Sequence, residues 1–368
     1  MSADDLASHH FTVHHDREID GQVRTDVEHI RDATLATHPG AVGLFLVGGF
    51  GRGEGGVVQR DGRWRPANDY DFELITRGPV DHGALRDLGV RLARECGVPM
   101  VHIEHSLAWK QRLRGPTEYT VDLRLGSLAL HDPHDMRTRL WRCQAPRIPL
   151  TDAMQTLFTR TAALLWCFES PRDWRRAGMP ARFDLAIQVS KALLAIEDAR
   201  LIRVRRYHPL YAKRLQRFLT LGAGESLVSA MRWATEFKLR PDATSIPEDL
   251  EGLWFRARDW LLAEAFQHAG AMTGRRVESW RDFGQATRWR SLRGRDRWRL
   301  LRSRAVWERH RELALVNMLA LAALQRDGSS DPKLSASARR ICEDLGEAAG
   351  PGWNGLRLAL LRLFERLW

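Results

Sequence analysis

Lysine is scarce in this chain. Only Lys110, Lys191, Lys213, Lys238 and Lys333 occur, so nearly all the positive charge is arginine. Lys and Arg total 57 against 46 Asp and Glu, a net charge of +11 and a pI near 10.2. That balance favours anionic partners such as nucleotides, nucleic acid or acidic lipid. An arginine excess spread along the whole chain is nevertheless a weak marker of a binding face. Cysteine is sparse too. Cys96, Cys143, Cys167 and Cys342 lie far apart with no C-x-x-C pair, which gives no zinc or redox motif and agrees with a reduced, cytoplasmic protein. The N-terminal stretch MSADDLASHHFTVHH lacks the basic-then-apolar order of a signal peptide. No apolar run approaches the ~20 residues that a membrane-spanning helix needs. No G-K-[ST] closes a glycine cluster, which excludes a Walker A loop.

A chain of 368 residues, 44% of them hydrophobic, can bury a sizeable core and is long enough for about two domains. The first 130 residues read as mixed α and β. A helix is expected over 16–38, with apolar residues at Ile19, Val23, Val27 and Ile30. AVGLFLVGG (41–49) is a buried strand ending in glycine, and VVQRDGRWRP (57–66) is a hairpin turning at Asp61-Gly62. DYDFELIT (69–76) alternates like a strand, a helix follows over 82–96, and two further strands are expected at 99–106 and 118–127. From Thr151 onward helical patterns dominate, at 151–168, 182–205, 211–220, 226–237, 249–270 and 296–325. No internal repeat is present. The expected class is α+β: a small α/β domain with a mixed sheet, then a larger all-α region.

The stretch LFLVGGFGRGEGG (44–56) is more than half glycine after its apolar start. Gly51, Gly53 and Gly56 match the dinucleotide fingerprint G-x-G-x-x-G, and Asp69 or Asp71 falls near the distance of its ribose-binding acid. That fold requires a helix directly after the glycines, and VVQRDGRWRPAND is a poor one. A different pair of elements fits better. On a strand, Asp69 and Asp71 project to one face while Tyr70 and Phe72 face the core. Adjacent carboxylates repel unless a cation lies between them, and Mg²⁺ accepts one or two carboxylates together with phosphate oxygens. Gly48-Gly49 lets backbone N–H groups approach a triphosphate, so the glycines are expected to leave room for an anionic ligand.

With these parts in order, LVGGFGRGE followed by NDYDFEL, the sequence resembles the DNA polymerase β-like nucleotidyltransferases over about residues 41–127. The resemblance implies a third carboxylate on a later, adjacent strand. Asp122 in EYTVDLRLG supplies it, with Glu73 and Glu104 as weaker candidates. The segment 181–218 is similar to the helical part of poly(A) polymerases and aminoglycoside nucleotidyltransferases, where a lysine contacts the triphosphate; Lys191 matches it. Lys191 shares a polar stripe with Asp184, Gln188 and Asp198, so a phosphate contact and a solvated helix face both stay open. Gly49 stands where the family often has Ser, and the hairpin 57–66 lengthens the gap before the Asp pair and is expected to form a lip over the site.

The resemblance implies catalytic and metal-binding roles for Asp69, Asp71 and Asp122, and nucleotide contacts from Gly48, Gly49, Arg52 and Lys191. It implies two Mg²⁺ ions, with Mn²⁺ as a substitute, and transfer of NMP, AMP above all, from an NTP such as ATP to a hydroxyl with release of pyrophosphate. The acceptor is expected to be a small molecule or a protein. The alternatives are RNA 3′-end transfer, or a nonenzymatic nucleotide or RNA binder that kept the fold. The implied domains are a catalytic domain over 1–150, a helical domain over 151–240 completing the nucleotide cleft, and a C-terminal helical region over 241–368.

Several other features have plainer readings. Arg52 and Glu54 also suit a brace within the turn. His9, His10, His14 and His15 have no partnering pattern and are expected in a mobile or sheet-edge N-terminus. His102 and His105 flank Glu104 and fit either a cleft lining or a half-exposed strand. The basic segment 275–311 interleaves arginine with Trp280, Trp289, Trp298 and Trp307, a pattern known from single-strand nucleic-acid binders. Its intervening acids favour helix packing, and nucleic acid is not the favoured partner. The tail WNGLRLALLRLFERLW is expected to dock on the parent fold or a partner chain rather than on a membrane. The oligomeric state is not legible.

Overall fold

The computed structural model describes residues 6, 8–60, 62–113, 115–140, 144–169, 178–292, 297, 300 and 303–367. They fall into two compact units. The first comprises Met1–Ile148 with two returning segments, His208–Arg214 and Glu236–Asp242, and the second holds the remainder. The boundary expected after residue 150 thus lies at Ile148. The helices of 151–240 and 241–368 share one unit apart from the two returning segments.

In the first unit, Asp16 caps α1 (Arg17–Thr37) by accepting from the N–H groups of Glu18 and Ile19. Such a cap contributes ~1 kcal/mol. Ile19, Val23, Val27 and Ile30 form its buried stripe. Strand β1 (Ala41–Leu46) is buried except at its first residue and runs into a one-turn helix, Gly48–Gly51. β2 (Val57–Arg60) and β3 (Arg63–Pro66) pair as a separate hairpin with Gly62 at φ +73°. β4 (Asp69–Thr76) pairs antiparallel with β1. It pairs in parallel with β5 (Met100–Leu107), across the helix α2 (His82–Cys96). Helices α3 (Ala108–Leu113) and α4 (Glu118–Gly126) precede β6 (Leu128–His131), which pairs antiparallel with β1, and α5 (Met136–Leu140) follows. The sheet is mixed, in the order β5-β4-β1-β6.

Hydrophobic cores on both faces hold this sheet. Tyr70, Phe72 and Leu74 of β4 pack with the α1 stripe and with Leu85, Leu88 and Leu92 of α2. Phe45, Val47 and Ile75 pack on the opposite side with Leu123 of α4, Ala129 of β6 and Met136 of α5. Each such side chain contributes about 1.5–3 kcal/mol when fully buried.

Two expectations are corrected here. Residues 118–126 form helix α4, not a strand, and the unforeseen β6 follows it. Thr117 starts the helix with a capping box, its hydroxyl accepting from Thr120 N while its own N–H donates to Thr120 Oγ1. The box satisfies donors that the alternating Tyr119-Val121-Leu123 pattern conceals. The N-terminal segment is also packed rather than mobile. Phe11 is fully buried, its carbonyl accepts from Gly55 N at 2.9 Å, and His10 meets Asp20 at 2.8 Å.

In the second unit, α6 (Leu150–Trp166) and α7 (Met179–Arg203) are followed by α8 (Tyr211–Phe218) and α9 (Glu225–Leu239), whose residues 211–214 and 236–239 belong to the returning segments of the first. Next come α10 (Leu250–Thr273), α11 (Trp280–Ala286), α12 (Arg304–Ala323), α13 (Pro332–Asp344) and α14 (Gly352–Leu367). α6 packs against α7, α10, α12 and α14. Phe168 stacks on Trp254 at 4.0 Å, and the buried Glu264 ties α10 to Arg200 and Arg203 of α7 at 2.8 Å each. Trp307 is buried and donates to the carbonyl of Thr287. Trp289 is buried beside the guanidiniums of Arg297 and Arg304, and Trp280 is half-buried on Phe266. Trp298 lies outside the described residues. The tail forms α14, which buries Trp353, Leu356, Leu360 and Leu363. Among the described residues, no helix is long and apolar enough to cross a membrane.

Candidate functional site

Strand β4 orients the acidic pair. Tyr70 is fully buried and its hydroxyl donates to Asp26 Oδ2 at 3.0 Å; Gln22 supports the same carboxylate at 3.2 Å. Burial raises the pKa of Asp26 against these hydrogen bonds, and burial beside Asp26 pushes Tyr70 well above its ordinary value. Tyr70 therefore remains a protonated donor. It pins the pleat so that Asp69 and Asp71 both fall on the opposite face, where each is half-exposed. Sequence reasoning missed Asp26; its signal is an acid interrupting the apolar stripe of α1.

The glycine turn runs close against this strand, and Val47 N just before it donates to the Asp71 carbonyl at 2.9 Å. Gly48 has φ +65°, and a Cβ there would stand 2.7 Å from Asp71 Oδ2. The N–H groups of Gly48 and Gly49 open the one-turn helix and have no carbonyl of that helix to bond. Other glycines serve the protein itself. A Cβ at Gly51 would lie 2.3 Å from the Leu46 carbonyl, and one at Gly55 would enter the Phe50 ring. At Gly48 and Gly49 too the place of a Cβ adjoins the protein's own atoms, Asp71 Oδ2 at 2.7 Å and the Glu54 carbonyl at 3.1 Å, so the expectation that the glycines leave room for a ligand rests on their backbone N–H groups alone.

Parallel pairing sets His102 beside Asp71 and Glu104 beside Glu73. His102 Nδ1 lies 3.7 Å from Asp71 Oδ1 and its Nε2 lies 3.3 Å from Glu104 Oε1. Contact with Asp71, aided by Glu104 and Asp69, holds His102 above the ordinary imidazole value against partial burial. Asp69, Asp71, His102 and Glu104 thus form one acidic corner. Glu73, on the same face further along β4, is enclosed. It accepts from Ser106, Tyr119 and, at 2.8 Å, Gln111 Nε2, leaving 1% of the residue exposed.

Asp122 and Arg52 stand apart from that corner in their contacts. Because 118–126 is helical, Asp122 is not carried on a strand beside β4; that neighbour is β5. Arg52 Nη1 donates to Asp122 Oδ2 at 2.9 Å, and its Nε lies 3.7 Å from Glu54 Oε2, with only 5% of the arginine side chain exposed. Its guanidinium also lies 5.2 Å from the Tyr211 ring. Arg52, expected at the nucleotide, is thus engaged in a buried brace. Glu54 completes the brace by accepting from Tyr211 N at 2.9 Å and Ala212 N at 3.4 Å. Lys191 is half-buried on α7 of the second unit.

Among the described residues no three His, Cys, Asp or Glu side chains could hold a metal ion by themselves. Mg²⁺ does not demand that, since it retains waters and binds through one or two carboxylates plus phosphate oxygens. The hard oxygens of Asp69 and Asp71, with Asp71 against Gly48, suit such an ion in their chemistry. No protein-family model matches the chain, and no curated protein matches it.

Proposed function

We propose that the first unit is a metal-dependent nucleotidyltransferase that moves the NMP of an NTP, with ATP as the favoured donor, to a hydroxyl on a small molecule or protein. The observation that supports this reading is the close approach of Gly48 to Asp71, which leaves no room for a Cβ and puts backbone donors suited to phosphate beside carboxylates suited to a divalent cation. Gly48 and Gly49 would hold phosphate oxygens through their N–H groups. Asp69 and Asp71 would hold Mg²⁺ together with phosphate oxygens, and Glu104, on the strand adjacent to β4, would stand by as the acid nearest the acceptor. When bound, the cation supplies charge neutralisation for the phosphates and acidifies the acceptor hydroxyl.

The acceptor oxygen attacks the α-phosphorus, the bond to the bridging oxygen of pyrophosphate breaks, and pyrophosphate leaves. Glu104, 57% exposed in its side chain, takes the hydroxyl proton. His102 positions Asp71 and Glu104 by contacting both. Tyr70 and Asp26 act from behind the strand by fixing its rotation. Incubation with each NTP labelled at the α-phosphate, Mg²⁺ and cell extract tests this. Label should appear on an acceptor with the intact protein and be absent with Asp71→Asn. Label transfer that persists in folded Asp71→Asn, or that never occurs with any NTP, removes the proposal.

A further inference from the structure

On the sheet face that carries Asp69 and Asp71, the next residue in line is Glu73, two places further along β4 and about 7 Å away. Three side chains donate to its buried carboxylate: Ser106 of β5, Gln111 of α3 and Tyr119 of α4. Ser106 and Gln111 are buried with it. Tyr119 is not. It is 39% exposed and the most open of the four tyrosines. A buried acid thus holds the hydroxyl of a ring that remains at the surface, which fixes the direction of the ring without covering it.

Helix α4 lies on this face of the sheet, where its Leu123 packs with Phe45, Val47 and Ile75. Tyr119 and Asp122, three residues apart, share one side of the helix. Asp122 Oδ2 accepts from Arg52 of the glycine turn at 2.9 Å, and a Cβ at Gly126, four residues further on, would meet the Arg52 side chain at 2.5 Å. The same side of α4 therefore runs from Glu73 at its start to the glycine turn at its end. Asp71 stands between these two points, two residues before Glu73 and with its Oδ2 beside Gly48. The open ring of Tyr119 is thus the aromatic surface next to the acidic pair along β4.

We propose that Tyr119 is the base-stacking residue of the nucleotide site. With phosphates on Gly48 and Gly49 and the α-phosphorus at Asp69 and Asp71, the nucleoside extends along β4 and its base lies on the Tyr119 ring. This placement rests on the nucleotidyltransferase reading and adds to it the position of the base. The β1 side of the acidic pair is taken by the glycine turn and the phosphates. The β5 side carries Glu104 and His102, the polar groups that face the acceptor. The direction of Glu73 presents the aromatic ring. Stacking is available to every base, because each has a π-face. It favours a purine over a pyrimidine through ring area and by itself does not separate ATP from GTP.

The test uses the full chain with Mg²⁺ and compares ATP, inorganic tripolyphosphate and 2-aminopurine riboside triphosphate, whose fluorescence is quenched when its base stacks. The intact protein should bind all of them and quench the last, and CTP should bind more weakly than ATP. Tyr119→Leu should lose at least about fivefold in affinity for ATP, bind tripolyphosphate as before and no longer quench. Tyr119→Phe keeps the ring and loses only the hydroxyl, so it should still quench and retain most of the ATP affinity. Equal losses for ATP and tripolyphosphate in folded Tyr119→Leu would make the tyrosine a support of Glu73 alone and overturn the proposal. Unchanged ATP affinity or persistent quenching in that variant would put the base elsewhere and also overturn it. So would an intact protein that binds the fluorescent nucleotide without quenching it, which needs no variant to fold. An intact protein that binds neither ATP nor tripolyphosphate with Mg²⁺ would instead remove the nucleotidyltransferase reading, and this placement with it.

Discussion

Replacing Gly48 by alanine probes the close approach of the glycine turn to the acidic pair. Two effects add. The residue sits at φ +65°, where an L side chain loses roughly 1–2 kcal/mol. The new Cβ would also stand 2.7 Å from Asp71 Oδ2. That carboxylate belongs to a side chain 37% exposed, so it swings away rather than being crushed. Most of the stability loss therefore comes from the backbone, and the total should be about 1–2.5 kcal/mol. For a unit of this size that lowers the melting midpoint by about 2–4 °C per kcal/mol. The displaced carboxylate should appear as weaker binding of Mn²⁺ and NTP. Repeating the substitution in an Asp71→Ala background separates the terms: the backbone loss persists, while a coupling of about 0.5 kcal/mol or more, from the contact itself, disappears. Gly51→Ala is the comparison. Its Cβ would meet the Leu46 carbonyl at 2.3 Å, and a backbone oxygen in a central strand cannot swing aside. It should lose stability by at least about 1–3 kcal/mol. Denaturant titration of the four proteins gives the cycle. A Gly48→Ala protein as stable as the parent, or with undiminished Mn²⁺ affinity, would refute the reasoning.

The remaining expectations concern other parts of the molecule. Glu104→Gln should impair nucleotidyl transfer with little effect on stability. Asp122→Asn should instead destabilise the fold by about 1–3 kcal/mol by weakening the acceptor of the buried Arg52; kinetics and melting of both variants distinguish these roles. His268 is wholly buried, with Nε2 2.8 Å from the Leu150 carbonyl, and burial pushes its pKa down to about 4. The folded state then binds fewer protons than the unfolded one, so this contribution is intact above pH 6.5 and is lost as the pH falls from 6.5 towards 4. The loss is at most about 3.4 kcal/mol, and His268→Gln should flatten that limb of the stability–pH curve. Trp307→Ala should destabilise the helical unit by about 3–5 kcal/mol, read by calorimetry; a stable variant with weakened RNA binding would give the tryptophan a surface role instead.

Much of the first unit was legible because its signals are local. Apolar spacing at Ile19, Val23, Val27 and Ile30, the alternation around Tyr70 and Phe72, and the punctuation at Gly97 and Pro99 each follow from backbone periodicity. The α+β class, with a small mixed sheet and a large helical region, follows from the same patterns. The stretch 118–126 misled because alternating Tyr119, Val121 and Leu123 imitate a strand, whereas a capping box at Thr117 and Thr120 starts a helix. With that strand gone, β5 is the neighbour of β4, and Glu104 with His102 comes to the acidic corner. The brace of Arg52, Glu54 and Asp122 joins residues up to 70 positions apart, and no spacing rule reaches so far. The glycines misled in part for the same reason: Gly51 faces the Leu46 carbonyl and Gly55 the Phe50 ring, contacts that exist only once the loop has folded on itself.

The central claim is that Asp69 and Asp71, beside Gly48, bind a divalent cation together with the phosphates of a nucleotide. Isothermal titration with a nonhydrolysable ATP analogue, with and without Mg²⁺, on the intact protein and on Asp69→Asn with Asp71→Asn, tests it most directly. The account predicts Mg²⁺-dependent binding to the intact protein, its loss in the double variant, and a melting temperature in that variant equal to or above the parent's because like-charge repulsion is relieved. Nucleotide binding that ignores Mg²⁺, or that survives in the folded double variant, would contradict it.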